Sequence, residues 1–240
     1  MRIVDLRSDT VTLPTDEMLK AIVNARLGDD QYREDPTVTE LQEKAATKLG
    51  KEDALLVISG TQANLVSVMS QTNPGDKIIL EAESHTYYYE AGGISAVAGV
   101  IPHTVKGRLG VLDPVEIEKI AQIEHKYHQP RPTLLCLENT HNRAGGTCIT
   151  AQQTQQLTSV AKSYNMKVHV DGARIFNAAV AMGIDVKDLT REVDSVTFCL
   201  SKGLSCPLGS IVAGSQDFID KARRNRQRLG GAMRQAGIIA

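Results

Sequence analysis

Three short segments of this 240-residue chain carry side chains whose type and setting suit chemistry. In Ser201-Lys202-Gly203, Lys202 follows the run Ser195-Val196-Thr197-Phe198-Cys199-Leu200 and stands beside a glycine. Lysine is costly inside a sheet. Held at the end of a buried strand, its amine is partly desolvated and suited to nucleophilic or Schiff-base chemistry. The plain alternative is a lysine that marks the strand end and reaches water. In Asp171-Gly172-Ala173-Arg174, Asp171 follows Lys167-Val168-His169-Val170. Its carboxylate could neutralise a protonated heterocycle nitrogen, or cap a following helix. Arg174 lies about one helical turn on if Gly172 opens a helix, so it could pair with Asp171 or grip a carboxylate with two hydrogen bonds. In Ser59-Gly60-Thr61-Gln62-Ala63-Asn64, unpaired backbone N–H groups and a helix dipole would suit a phosphate. Neither a Walker loop nor G-x-G-x-x-G is present, and a tight turn with a Ser or Thr cap is the alternative. Together the three supply what pyridoxal phosphate needs. These are a lysine for the aldehyde carbon, an aspartate for the pyridine nitrogen and a turn for the phosphate.

Such residues need elements to hold them. Ala54-Leu55-Leu56-Val57-Ile58 predicts a buried strand ending at Ser59-Gly60, and Thr61 to Met69 a buried helix. Lys77 to Leu80, Thr133 to Glu138, Lys167 to Asp171, Ser195 to Leu200 and Ser210 to Ala213 predict further strands. Helices are expected over Pro114 to His128 and Thr150 to Tyr164. Strands that are apolar throughout, with helices between them, imply an α/β fold with a mostly parallel sheet covered on both faces. Ligands of such sheets bind beyond the carboxyl ends of the strands. Ser59, Glu138, Asp171 and Ser201-Lys202 fall there.

Composition bounds the rest. Charge is 27 − 28 = −1, and 42% of residues are hydrophobic, which suits a globular chain and argues against DNA or an anionic membrane as partner. The basic run Lys221 to Arg228 is expected to be a solvated or intersubunit helix face, because no aromatic residue interleaves it. No apolar run approaches the roughly 20 residues of a membrane span. Cys136, Cys148, Cys199 and Cys206 form no C-x-x-C pair and no metal-type cluster. No metal is expected, and a reduced, cytoplasmic setting is.

The chain also resembles the low-specificity L-threonine aldolases, in the β-eliminating-lyase branch of the fold-type I pyridoxal-phosphate enzymes. The matching segments are Asp5-Leu6-Arg7-Ser8-Asp9-Thr10-Val11-Thr12, Glu34-Asp35-Pro36-Thr37, Ser59-Gly60-Thr61, Glu138-Asn139-Thr140-His141-Asn142, His169 to Asn177, Cys199-Leu200-Ser201-Lys202-Gly203 and Gly230 to Gln235. The resemblance implies a fold-type I large domain. It also implies retro-aldol cleavage of L-threonine and L-allo-threonine to glycine and acetaldehyde. Lys202 would hold the cofactor and Asp171 would partner its pyridinium. Gly60, Thr61 and Arg234 would bind its phosphate, Arg234 across a subunit boundary. His85 would lie over its ring. Ser8 and Arg174 would hold the substrate carboxylate, Tyr32 would reach a neighbouring active site, and His128 aligns with a histidine near the substrate hydroxyl. The base that takes the β-hydroxyl proton stays open between His85, His128 and a water. A tetramer of dimers with shared active sites is implied. Another lyase, racemase or aminotransferase of the same fold is the nearby alternative, and a cofactor-binding chain without turnover the more distant one.

Two departures stand out. Where the family carries Tyr-Gly, this chain has Tyr32-Arg33. The family also continues past Ala240 into a small C-terminal domain of roughly a hundred residues, a common domain size. Residues 1–240 are therefore expected to comprise an N-terminal segment and the cofactor-binding large domain, and to stop before the small one.

Overall fold

A computed structural model describes residues 4–123 and 126–240. The chain enters through a 3-10 turn, Asp9–Val11, then helix α1 (Asp16–Val23), a second 3-10 turn, Asp30–Tyr32, and helix α2 (Pro36–Leu49). Strand β1 (Asp53–Val57), α3 (Gly60–Gln71) and β2 (Lys77–Glu81) follow. Next come the short helices α4 (His85–Tyr88) and α5 (Gly93–Ala96), then β3 (Ile101–Val105), α6 (Pro114–Ala121), β4 (Pro132–Glu138), α7 (Ala151–Ser163) and β5 (Lys167–Asp171). The remainder is α8 (Ile175–Met182), α9 (Val186–Thr190), β6 (Ser195–Cys199), β7 (Ser210–Gly214), α10 (Gln216–Arg228) and a 3-10 turn, Ala236–Ile238.

The strands form one seven-stranded sheet in the order β1-β7-β6-β5-β4-β2-β3. Pairs β2–β3, β2–β4, β4–β5 and β5–β6 are parallel, while β7 runs antiparallel to both its neighbours. Six strands thus point one way, and their carboxyl ends share an edge with the start of β7. Alternate residues go to opposite faces. Leu55, Val57 and Val212 pack with Ala63, Val66 and Ile219 of α3 and α10. Leu56, Leu135, Leu137, Val168 and Val170 pack on the other face with Ala46, Leu157 and Ala178 of α2, α7 and α8. Both faces are covered, which is why these strands read as unbroken apolar runs. Each fully buried Leu, Ile or Val contributes about 1.5–3 kcal/mol.

Local chemistry sets the helix ends. Thr150 and Gln153 form a reciprocal capping box at the start of α7. Asp35 caps α2, with Pro36 in its first turn, and Gly50 closes that helix in the left-handed region at φ 63°. Asp35 also accepts from the N–H groups of Gly28 and Gly237, so one buried carboxylate ties the entering segment, α2 and the last turn together.

The strand expectations hold to within a residue, with two corrections. Strand β3 was not anticipated. It is an edge strand with Pro102 and mostly partial exposure, so it lacks an apolar run. The helix expected from Pro114 to His128 ends at Ala121, and Tyr127 and His128 lie in a turn. Beyond Ala121 the described residues up to Gln129 are exposed, Ile123 and Tyr127 among them, so no buried apolar face continues the helix. The basic run is not uniformly solvated either. Arg226 is 1% exposed, donating to Asp30 Oδ2 and to the Leu56 carbonyl, both at 2.7 Å.

Candidate active site

The polar residues of the carboxyl edge converge. Glu81, Glu138, Asp171 and Cys199 end β2, β4, β5 and β6, and Lys202 follows β6 by three residues. Asp171 is buried at the end of β5 because Val168 and Val170 bury the strand that carries it. Its Oδ1 accepts from Ala173 N–H and its Oδ2 from Asn64 Nδ2, at 3.1 and 2.8 Å. Lys202 is half-buried, and its amine is close enough to bear electrostatically on Cys199, Asp9 and His85. Thr12 Oγ1 donates to the Lys202 carbonyl at 2.7 Å, so the N-terminal segment is anchored beside this lysine.

The phosphate expectation rests on α3. Ser59 caps this helix, accepting from Gln62 N–H at 3.1 Å. Gly60 and Thr61 occupy the first two helical positions, where an N–H has no partner within the helix. Among the described residues neither N–H finds another protein acceptor. A Cβ on Gly60 would stand 3.0 Å from Cys199 Sγ, so a larger residue there would have to push the Cys199 side chain aside. An open pair of N–H donors at a helix start, a strand-end aspartate and a strand-end lysine together fit pyridoxal phosphate.

His85 opens α4, and its backbone N–H is held by Glu138 at 2.6 Å. Its Nδ1 meets Glu90 Oε1 at 2.9 Å, while Nε2 has no protein partner among the described residues. Glu90 raises the His85 pKa above its ordinary value, against partial burial, with Asp171 adding to the effect. Burial pushes the Glu90 carboxyl up. His85, Glu90 and Asp171 lie close enough together for a metal ion. The Asn64 amide already accounts for the two carboxylates, because Nδ2 donates to Glu90 at 2.7 Å and to Asp171 at 2.8 Å.

Arg174 corrects one expectation. Gly172 opens no helix. Arg174 precedes α8, and its guanidinium grips Asp9 through two bonds of 2.7 Å rather than pairing with Asp171. That contact holds the Asp9 carboxyl below, and the Arg174 guanidinium above, their usual ranges. Ser8 sits beside Asp9, exposed, with Oγ accepting from Thr10.

Three expected site residues make no hydrogen bond or ion pair with this cluster among the described residues. His128 is exposed and lies four residues before β4, at the opposite end of the strand from Glu138. A seven-residue strand separates those ends by roughly 20 Å. Tyr32 is 71% exposed. Arg234 is exposed, and its guanidinium pairs with Asp29 at 2.9 Å. Arg33, in place of the family's glycine, takes φ 60°, the left-handed conformation that glycine adopts without cost. Its guanidinium meets Asp220 at 3.0 Å in an exposed pair.

Sequence reasoning missed Asp9, Asn64, Glu90 and His169. Asp9 and His169 sit in the quoted motifs, and their position there was the only available signal. Glu90 follows Tyr87-Tyr88-Tyr89 with nothing to mark it.

Comparison with known proteins completes the picture. The β-eliminating lyase family matches residues 5–240. Low-specificity L-threonine aldolase 1 of Arabidopsis thaliana is 48% identical over all of this chain and 68% of its own length. The low specificity L-threonine aldolase of Escherichia coli K12 is 42% identical over 99% of this chain and 70% of its own. Among solved structures, the Leishmania major threonine aldolase superposes with a TM-score of 0.83 at 20% identity, covering 97% of this chain and 68% of that one. A putative L-allo-threonine aldolase of Listeria monocytogenes shares the fold at a TM-score of 0.79, with 62% of its chain covered. The chain thus spans about two thirds of the length of its relatives, and over that span it belongs to the β-eliminating lyase family.

Proposed function

We propose that this chain is a pyridoxal-phosphate-dependent carbon–carbon lyase that cleaves L-threonine and L-allo-threonine to glycine and acetaldehyde. The observation that carries this is the convergence of Lys202, Asp171 and the open Gly60 and Thr61 N–H groups, in a family whose near relatives bear the aldolase name.

Gly60 and Thr61 would hold the cofactor's phosphate, Asp171 its ring nitrogen and Lys202 its aldehyde carbon. When bound, the group supplies an electron sink for the electron pair left at the substrate Cα. Arg174 spends Nε and Nη2 on Asp9, and its remaining donors, with Ser8 Oγ, hold the substrate carboxylate. Fixing that carboxylate aims the Cα–Cβ bond, which is the main service the chain performs for the step. His85 would lie against the ring. Its Nδ1 is held by Glu90, which leaves Nε2 without a protein partner among the described residues and able to take the β-hydroxyl proton directly or through a water.

Tyr32 and Arg234 are exposed, and Arg234 pairs with Asp29, so we place them at the site of a neighbouring copy. His128 can act only from another copy as well. The unpaired cysteines fit a reducing, cytoplasmic setting, and among the described residues no helix is long and apolar enough to cross a membrane.

The test is aldehyde release from both substrates by the purified chain with pyridoxal phosphate added. Release from both is expected. Keto acid or racemised amino acid without aldehyde would overturn the reading. Lys202→Ala should abolish the borohydride-trapped cofactor adduct, and a retained adduct would remove Lys202 from its role.

A further inference from the structure

A line of buried hydrogen bonds runs from the far end of the sheet into the site. Gln71 Nε2 donates to Ser195 Oγ at 2.8 Å, and Ser195 Oγ lies 2.8 Å from His169 Nδ1. His169 Nε2 lies 3.3 Å from Asn64 Oδ1, which Thr197 Oγ1 also approaches at 3.4 Å. Asn64 Nδ2 then reaches Asp171 and Glu90, and Glu90 reaches His85. Asn64, His169 and Ser195 are each at most 1% exposed, so water cannot replace these bonds.

The direction of every bond follows from the two carboxylates. Two acceptors flank one end of the Asn64 amide, so that end must be the NH2 group. Its oxygen then faces His169, which must donate from Nε2. The neutral ring has one N–H, so Nδ1 is an acceptor and Ser195 supplies its proton. Burial supports this by holding the His169 pKa down at about 4, against the pull of Asp171.

We propose that His169 and Asn64 are positioning residues. Ser195 fixes His169 as the Nε2–H tautomer, His169 orients the Asn64 amide, and Asn64 locks Asp171 and Glu90 at one spacing. The group that would hold the cofactor nitrogen and the group that holds His85 are therefore set by a single amide. His169 touches neither. For its effect on catalysis this inference rests on the reading above. The ordering of the side chains does not.

The test uses the chain without cofactor, so a failure to bind pyridoxal phosphate or to release aldehyde cannot be mistaken for failure here. In nitrogen-15 histidine spectra, the His169 ring, assigned by its loss in His169→Gln, should show the Nε2–H pattern unchanged from about pH 8 down to about pH 5.5. An Nδ1–H pattern overturns the proposal. The second arm follows the titration of His85, which faces Glu90, Asp171 and Lys202, with Glu138 on its backbone N–H and the Tyr89 ring at 5.4 Å. Glutamine at position 169 keeps an N–H donor for Asn64, and leucine does not. His169→Gln should leave the His85 midpoint near that of the parent, and His169→Leu should move it by at least about half a pH unit. A merely structural histidine would make the two variants alike, and that result overturns the proposal. Should His169→Leu not fold, the tautomer seen in the parent chain still decides, and should His169→Gln not fold, the ring is assigned instead by through-bond correlation to the His169 backbone.

Discussion

At the scale of single residues, the site was legible where a charge interrupts an apolar run. Lys202 and Asp171 stand out because each ends an apolar run, after Phe198 and Leu200 or Val168 and Val170, and because the two occur together with the Gly60-Thr61 turn. Glu90, Asn64 and His169 were not legible, because each acquires its partner only through strand pairing and the packing of α3. The Asp9 contact of Arg174 joins residues 165 apart in sequence, which no local spacing rule can anticipate. Two predictions belong here. Glu90 is the main cause of the raised His85 pKa, so Glu90→Gln should lower that pKa. If neutral Nε2 takes the substrate proton, the acid limb of the activity–pH profile should then move to lower pH. A limb that stays in place would remove His85 from proton transfer. The second concerns His169, whose pKa falls from 6.5 in the unfolded chain to about 4 in the fold. Between those values the unfolded state binds more protons. The contribution is complete above pH 6.5 and is lost as pH falls toward 4, amounting to at most about 3 kcal/mol. Urea melts across that window should show a smaller acid loss in His169→Gln than in the parent.

At the scale of elements, five of the seven strands carried their own signature because both sheet faces are covered. Strand β7 carried one too, but its reversed direction was invisible, since an apolar run says nothing about which way it points. Strand β3 lacked the signature because its residues are only partly buried and Pro102 interrupts it, whereas β1, at the other edge, is buried from Ala54 to Val57. Within the matching segment Glu34-Asp35-Pro36-Thr37, the aspartate serves the architecture. Asp35 is fully buried and accepts from Thr37, Val38, Gly28 and Gly237 N–H groups. Asp35→Ala leaves those donors without an acceptor and should cost about 2–4 kcal/mol in chemical denaturation. A loss below about 1 kcal/mol would show that water replaces the carboxylate.

At the scale of the whole molecule, the site residues that lie exposed are as informative as the buried ones. Tyr32 and Arg234 lie on segments pinned from beneath by buried contacts, Arg226 to Asp30 and the Arg234 carbonyl to Asp30 N–H, so their exposure is imposed rather than incidental. If Arg234 serves a neighbouring site, Lys202→Ala and Arg234→Ala chains mixed after separate inactivation should regain about a quarter of parental activity, one intact site in each hybrid dimer. No recovery would place both residues in one subunit's site. The reversed strand has a consequence in time rather than space. Among the described residues strand β1 pairs only with β7, from Asp53↔Gly214 to Val57↔Ser210. During synthesis β1 must wait for about 150 further residues, on the order of ten seconds or more, before its hydrogen-bonding edge is closed. Until then Leu55, Leu56 and Val57 form an open apolar ribbon, the kind of surface that chaperones hold and that nascent chains aggregate through. The strand that completes the sheet therefore also ends the most hazardous interval in the life of the chain.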